Sequence, residues 1–183
     1  MIRGLNEKME QFDITDYSDN EDDFIDRHTI TNVIKEHPSD YEELCVLIND
    51  RHKNMENRYL DCSDIDVSNM GEDMNNLFDG FNDVETINIT GWKTSNIENM
   101  SFMFYNCKNL KNIIGIGELN LSNVEAIQSM FSGCESLVSL DISNWDVSNV
   151  GNMYCLFNEC KKLVSLNLSS WDVSSVYDMK YMF

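Results

Sequence analysis

The sequence predicts an α/β repeat fold. It reads as a solenoid of about five units of 26–27 residues, with short parallel strands on one side and short helices on the other, behind an N-terminal helical cap. Three observations carry this reading. Phe78, Phe104, Phe131, Phe157 and Phe183 recur every 26 or 27 residues. Ser68, Ser95, Ser122, Ser148 and Ser174 keep the same step, as do Met74, Met100, Ile127, Met153 and Met179. Within each unit an LxxLxL stretch is followed by a Ser and then by apolar residues at three- and four-residue spacing. A repeat of this length is one supersecondary unit that buries its apolar face only by stacking on a copy of itself.

The elements follow in chain order. Residues 1–28 are an acidic segment, with Asp13, Asp16, Asp19, Glu21, Asp22, Asp23 and Asp26 in close succession. Few large aliphatics accompany them, and such a composition predicts mobility. The stretch has neither the glycine nor the ligand spacing of a calcium loop. Residues 29–60 are expected to form the helical cap. Ser39 with Glu42 fits a capping box after Pro38. Tyr41, Leu44, Cys45 and Ile48 then fall on one helical face, suited to covering the first repeat.

Residues 61–183 carry the repeats. Val84, Ile87 and Ile89 set the strand pattern, repeated by Leu137, Leu140, Ile142 and by Leu163, Leu166, Leu168. The last two of each triplet alternate with polar residues, the mark of a strand with one buried face. After the Ser, Val150, Met153, Leu156 and Phe157, like Ile97, Met100, Met103 and Phe104, suit one face of two helical turns. Ser95 with Glu98 and Ser122 with Glu125 fit capping boxes. The period slips by one residue between Asn69 and Met74, and again near Ile114 and Gly115, where a bulge is expected. Leu119-Asn120 also replaces a Trp-Asp pair there, which makes this unit the locally special one.

Composition narrows the function. Thirty-two acids against 13 bases give a net charge of −19. That excludes a basic face for bare nucleic acid or an anionic membrane and favours a basic protein partner. No apolar run approaches the ~18 residues of a membrane span, and the first residues hold no apolar signal core. The chain as given therefore reads as cytoplasmic. Cys107, Cys134 and Cys160 stand three residues after their Phe and read as buried small hydrophobes rather than redox centres. Cys155 occupies a variable position and is expected near the surface. His28, His37 and His52 lack metal-ligand spacing. With no nucleophile triad, phosphate loop or paired-carboxylate motif, the reading is non-enzymatic, without cofactor.

Three stretches carry a resemblance: "LDISNWDVSNVGNMYCLFNEC" (140–160), "LNLSSWDVSSVYDMKYMF" (166–183) and "DIDVSNMGEDMNNLF" (64–78). They resemble leucine-rich repeats, and more closely the BspA-like branch also described as the DUF285 family of bacterial and mycoplasmal surface proteins. The resemblance spans about residues 61–183. It implies a curved solenoid used for protein or surface attachment, no catalysis, and a cell-surface location for many relatives.

The candidate site is the outward strand face, where Thr86, Asn88, Asn112, Ser139, Asp141, Ser165 and Asn167 are expected side by side on a concave sheet. The expected function is a protein–protein interaction module. The alternative is an acidic inhibitor that mimics nucleic acid and blocks a basic nucleic-acid-binding enzyme, as phage anti-defence proteins do. Phe183 lies on an apolar face with no polar cap after it. That leaves two expectations, a short or trimmed array or an end-to-end homodimer through the last unit.

Overall fold

The computed structural model describes residues 37–183. They form a mixed α/β fold with five short parallel strands and one α-helix among the described residues.

The helix, α1, is Tyr41–Lys53. Its N-cap is Asp40, whose carboxylate accepts from the Glu43 N–H at 2.9 Å. The expected capping box is thus displaced by one residue. Ser39 instead donates its N–H and hydroxyl to Glu43 Oε2, at 2.9 and 2.8 Å. Asp satisfies the free amides of a first turn and also favours the positive helix end, so Asp40 takes the position. Leu44, Leu47 and Ile48 are buried, with Tyr41 and Cys45 half-buried beside them. Full burial of each aliphatic is worth roughly 1.5–3 kcal/mol. The helix is also tied by its polar side chains. Arg51 pairs with Asp64 through both guanidinium nitrogens and donates to the Asp61 carbonyl at 2.9 Å. The His52 ring stacks on Phe81 at 4.0 Å, and its Nε2 lies 2.6 Å from Asp83 Oδ1. The Tyr41 hydroxyl donates to the Asn75 carbonyl. Of the cap expected over 29–60, the first residues lie outside the described range, and the end, from Tyr59, is strand.

Five strands follow: β1 Tyr59–Asp61, β2 Thr86–Asn88, β3 Asn112–Ile114, β4 Ser139–Leu140 and β5 Ser165–Leu166. The first three form one parallel sheet, with Leu60, Ile87 and Ile113 in register; β4 and β5 form a second, with Leu140 opposite Leu166. Each central residue points inward, as the alternation required. At the far edge, parallel bridges join Asp73, Asn99, Ala126, Asn152 and Asp178 in succession.

Between the two edges the columns become ladders. Phe78, Phe104, Phe131, Phe157 and Phe183 stack at 5.2–5.6 Å. Trp92 and Trp145 donate Nε1–H to the Cys62 and Ile116 carbonyls, at 2.8 and 2.9 Å. The Asn96, Asn123 and Asn149 amides donate to the carbonyls of Ser68, Ser95 and Ser122 one unit back. In the last unit Val164, Tyr177, Tyr181 and Phe183 are exposed, although Tyr181 and Phe183 contact the Tyr154 and Phe157 rings of the unit before.

The short helices expected after each Ser are absent among the described residues. These segments are successive turns whose N–H groups donate to the neighbouring unit: Met74 to Asn99, Met100 to Ala126, Ile127 to Asn152 and Met153 to Asp178. Left-handed residues interrupt each one at the same place, Asn76, Phe102, Ser129, Cys155 and Tyr181, with φ of 53–60°. A right-handed helix cannot contain them. The Ser does not cap either. Ser68, Ser122, Ser148 and Ser174 donate their N–H to the side chain two residues back, Asp66, Asn120, Asp146 and Asp172, at 2.9–3.1 Å. Such local side-chain bonds offer the backbone an alternative to a helix. Cys155, expected near the surface, is buried.

The unit singled out around Gly115 is irregular. In place of a bulge within a continuous ladder, the sheet ends at Ile114. Gly115 adopts φ 86°, and a 3-10 turn, Ile116–Glu118, absorbs the extra residue. Leu119 fills the buried position of the missing Trp.

Candidate functional site

The strand register sorts the seven candidate residues into two groups. Thr86 lies opposite Asn112 on the first sheet, and Ser139 opposite Ser165 on the second. Asn88 stands between Asp61 and Ile114 in register. Asp141 and Asn167 follow β4 and β5 directly. Thr86 and Asn88 are half-buried, and the other five are exposed. The gap between β3 and β4 keeps the groups from forming one unbroken row.

The seven also differ in what their polar atoms do. Asn88 Oδ1 accepts from the Thr90 N–H and hydroxyl at 3.1 and 2.7 Å, and its Nδ2 donates to Asp61 at 3.0 Å. Asn167 accepts from the N–H and hydroxyl of Ser169, and Asp141 from the Ser143 hydroxyl at 2.8 Å. These three close the turn after each strand, the role of Asx residues in turns. Thr86, Asn112, Ser139 and Ser165 carry no side-chain hydrogen bond among the described residues. They are the members of the set whose donors and acceptors remain available.

One residue upstream of the strands runs a charged row. Glu85 accepts from Arg58 at 3.0 Å and from Lys111 at 2.6 Å. Lys111 first, then Arg58, holds the Glu85 carboxyl below its ordinary value. Val138 and Val164 continue the row as exposed aliphatics.

A groove of about 800 Å³ runs across the strand face from Tyr59 on β1 to Asn144 beyond β4. Tyr59, Ile114, Glu118 and Asn144 line it beside Asn112, Ser139 and Asp141. Tyr59, Glu118 and Asn144 were not singled out from the sequence. The slip of the period at Ile114 and Gly115 was the available signal for them.

In the cysteine column Cys107 and Cys134 are buried and Cys160 is half-buried. The Cys107, Cys134 and Cys160 thiols donate to the carbonyls of Phe78, Phe104 and Phe131 at 3.0–3.1 Å, and all six cysteines are free. Burial pushes Cys62, Cys107 and Cys160 up to about 12 and holds Cys134 well above the ordinary thiol value. That is opposite to what a nucleophilic thiol needs. No group of three or more His, Cys, Asp or Glu side chains among the described residues is placed to hold a metal ion. The acidic residues Asp13, Asp16, Asp19, Glu21, Asp22, Asp23 and Asp26 lie outside the described residues. No helix among the described residues is long and apolar enough to cross a membrane.

A chain whose units pair strand to strand and ring to ring is a repeat protein. Residues 72–183 match the DUF285 family, described as a Mycoplasma protein of unknown function, and the chain belongs to that family. No curated protein and no solved structure matches it.

Proposed function

We propose that residues 61–183 form a five-unit solenoid of the leucine-rich-repeat kind, and that its outward strand face binds another protein without catalysis. The observation that carries this reading is the row of unspent polar side chains, Thr86 and Asn112 on one sheet and Ser139 and Ser165 on the other. Exposed Tyr59, Ile114, Val138 and Val164 flank that row. Polar side chains beside exposed apolar ones give both the specificity and the apolar contact that protein interfaces use. Stacked repeats present such surfaces over several units.

Capture of partners from the native source, followed by titration of the captured protein against variants, tests it. Changing Asn112, Ser139 and Ser165 together to Arg is expected to weaken binding by roughly a hundredfold, the loss typical of disturbing the centre of an interface. Binding unaffected by that variant removes the strand face from consideration.

The charge of −19 supports a second reading, an acidic inhibitor of a basic nucleic-acid-binding enzyme. It differs in two readouts. Binding would fall steeply with salt, and neutralising the carboxylates of residues 13–26 would abolish it.

A further inference from the structure

Two outward columns of the repeat change character in residues 158–183. On the turn side Glu72, Glu98 and Glu125 share one position, and the next two units hold Gly151 and Tyr177 there. The backbone fixes this column, since Glu98, Glu125, Gly151 and Tyr177 each donate their N–H to the member before, at 2.7–2.9 Å. On the strand side Arg58, Glu85 and Lys111 give way to Val138 and Val164. Glu98, Glu125, Lys111 and Val138 are exposed although units stack on both sides of them. Core packing therefore does not select what stands in these columns. Yet Val164 is 84% exposed and Tyr177 80%. The Tyr177 ring is not loose: it lies over Gly151 so closely that a Cβ there would collide with it. Phe183 stands beside them, stacked on Phe157 at 5.6 Å and still 73% exposed. A recess of about 580 Å³ runs along the same face, lined by Leu163, Leu166 and Phe183. An exposed apolar patch of this kind marks a contact surface rather than a solvated one.

We propose that this face, carrying Val164, Tyr177 and Phe183, is a two-fold contact with a second copy of the chain. The inference does not rest on the strand-face reading. Three observations favour a copy as the occupant. The first is the backbone. Met153, Cys155 and Phe157 donate their N–H to the Asp178, Lys180 and Met182 carbonyls at 2.7–2.9 Å. The equivalent N–H groups of Met179, Tyr181 and Phe183 have no backbone acceptor among the described residues. Likewise the Val138 and Gly151 carbonyls accept from Val164 and Tyr177, whereas the Val164 and Tyr177 carbonyls receive no backbone N–H among the described residues. One face thus holds both open donors and open acceptors. A two-fold contact sets a surface against itself, so it needs this self-complementarity.

The second observation is charge. Two copies of a chain with net charge −19 repel in general. In residues 158–183, Glu159, Asp172 and Asp178 are balanced by Lys161, Lys162 and Lys180, so the contact itself adds no net repulsion. The third is the other end of the stack. There α1 covers the first unit, burying Leu44, Leu47 and Ile48 and joined to it by Arg51 with Asp64 and His52 with Asp83. A head-to-tail filament needs both ends open. With one end covered by α1, the contact closes as a dimer.

Sedimentation of the full chain from about 1 to 100 μM tests this, since assembly by mass action depends on concentration. A monomer–dimer equilibrium is expected. Val164→Glu combined with Tyr177→Glu should weaken the dimer roughly a hundredfold or more, by removing two central apolar contacts. Glu85 and Glu125 already occupy the same columns in earlier units, so the fold accommodates both changes. In the unaltered protein, amide hydrogen exchange at Met179, Tyr181 and Phe183 should slow as concentration rises. A monomer at every concentration would overturn the proposal, as would a dimer equally tight in the double variant. Species that keep growing with concentration, or exchange at those three amides that ignores concentration, would overturn it as well.

Discussion

Gly115 shows how a single residue shapes the candidate site. It adopts φ 86°, and a Cβ placed on it would stand 2.6 Å from the Thr90 backbone nitrogen. Two costs coincide, the left-handed backbone and a collision with main chain that cannot rotate away. Gly80 shares only the first, with φ 74° and nothing within 4 Å. Gly115→Ala is therefore expected to destabilise the fold by about 3 kcal/mol and Gly80→Ala by about 1 kcal/mol. Urea unfolding of the two variants compares them, and equal losses would show that the close approach to Thr90 has no energetic weight. The left-handed column at Asn76, Phe102, Ser129, Cys155 and Tyr181 shows the same conformation recurring without glycine. Contacts of neighbouring units hold it, so composition alone conceals it.

At the scale of elements, α1 and the turn segments illustrate opposite outcomes. The helix was legible because its apolar face, its acidic first turn and its basic last turn all agree. The turn segments were misread because Val150, Met153 and Leu156 recur every three residues, a step that successive turns and a helix share. Their Leu156–Met153 and Met130–Ile127 bonds, N–H to a carbonyl three residues back, belong to turns. What fixes α1 on the repeats also sets a pH dependence. The Arg51 guanidinium, by hydrogen bonding and then by charge, holds the Asp64 carboxyl below its ordinary value. A depressed folded value means that the contribution is present above the unfolded carboxylate value, about 3.9, and is lost as pH falls through the folded one. Asp64→Asn should lower stability at pH 7 and flatten the decline below about pH 4. The effect is modest because Asp64 is half exposed. Urea midpoints at pH 7, 4 and 3 measure it, and parallel profiles for the two proteins would remove the pair as the cause.

The described residues are held by ladders that run from unit to unit, and the thiols report on their integrity. Cys107 and Cys134 are fully buried and donate to Phe carbonyls, and burial pushes Cys107 up to about 12 and Cys134 well above the ordinary thiol value. At pH 8 iodoacetamide should modify them on the order of a thousandfold more slowly in the native protein than in urea, from loss of thiolate and of access together. Mass spectrometry of the alkylated peptides gives both rates. Native-state labelling as fast as that in urea would mean that the stack opens freely between units.

The repeat, its period, the inward strand positions, the Phe and Cys columns and the irregular unit were all present in the amino-acid sequence. Each is a pattern of residue types, and burial of apolar side chains translates such patterns directly into position. The sequence did not specify where the backbone hydrogen bonds go. Bonds from Met100 to Ala126 or from Ile127 to Asn152 join residues 25 or 26 apart, and their formation abolishes the local bonds a helix would have made. Nor did it separate Asn88, Asp141 and Asn167, which close turns, from Asn112, Ser139 and Ser165, which face outward unspent. That distinction depends on which partner each side chain meets after folding, and only the tertiary structure brings those partners together.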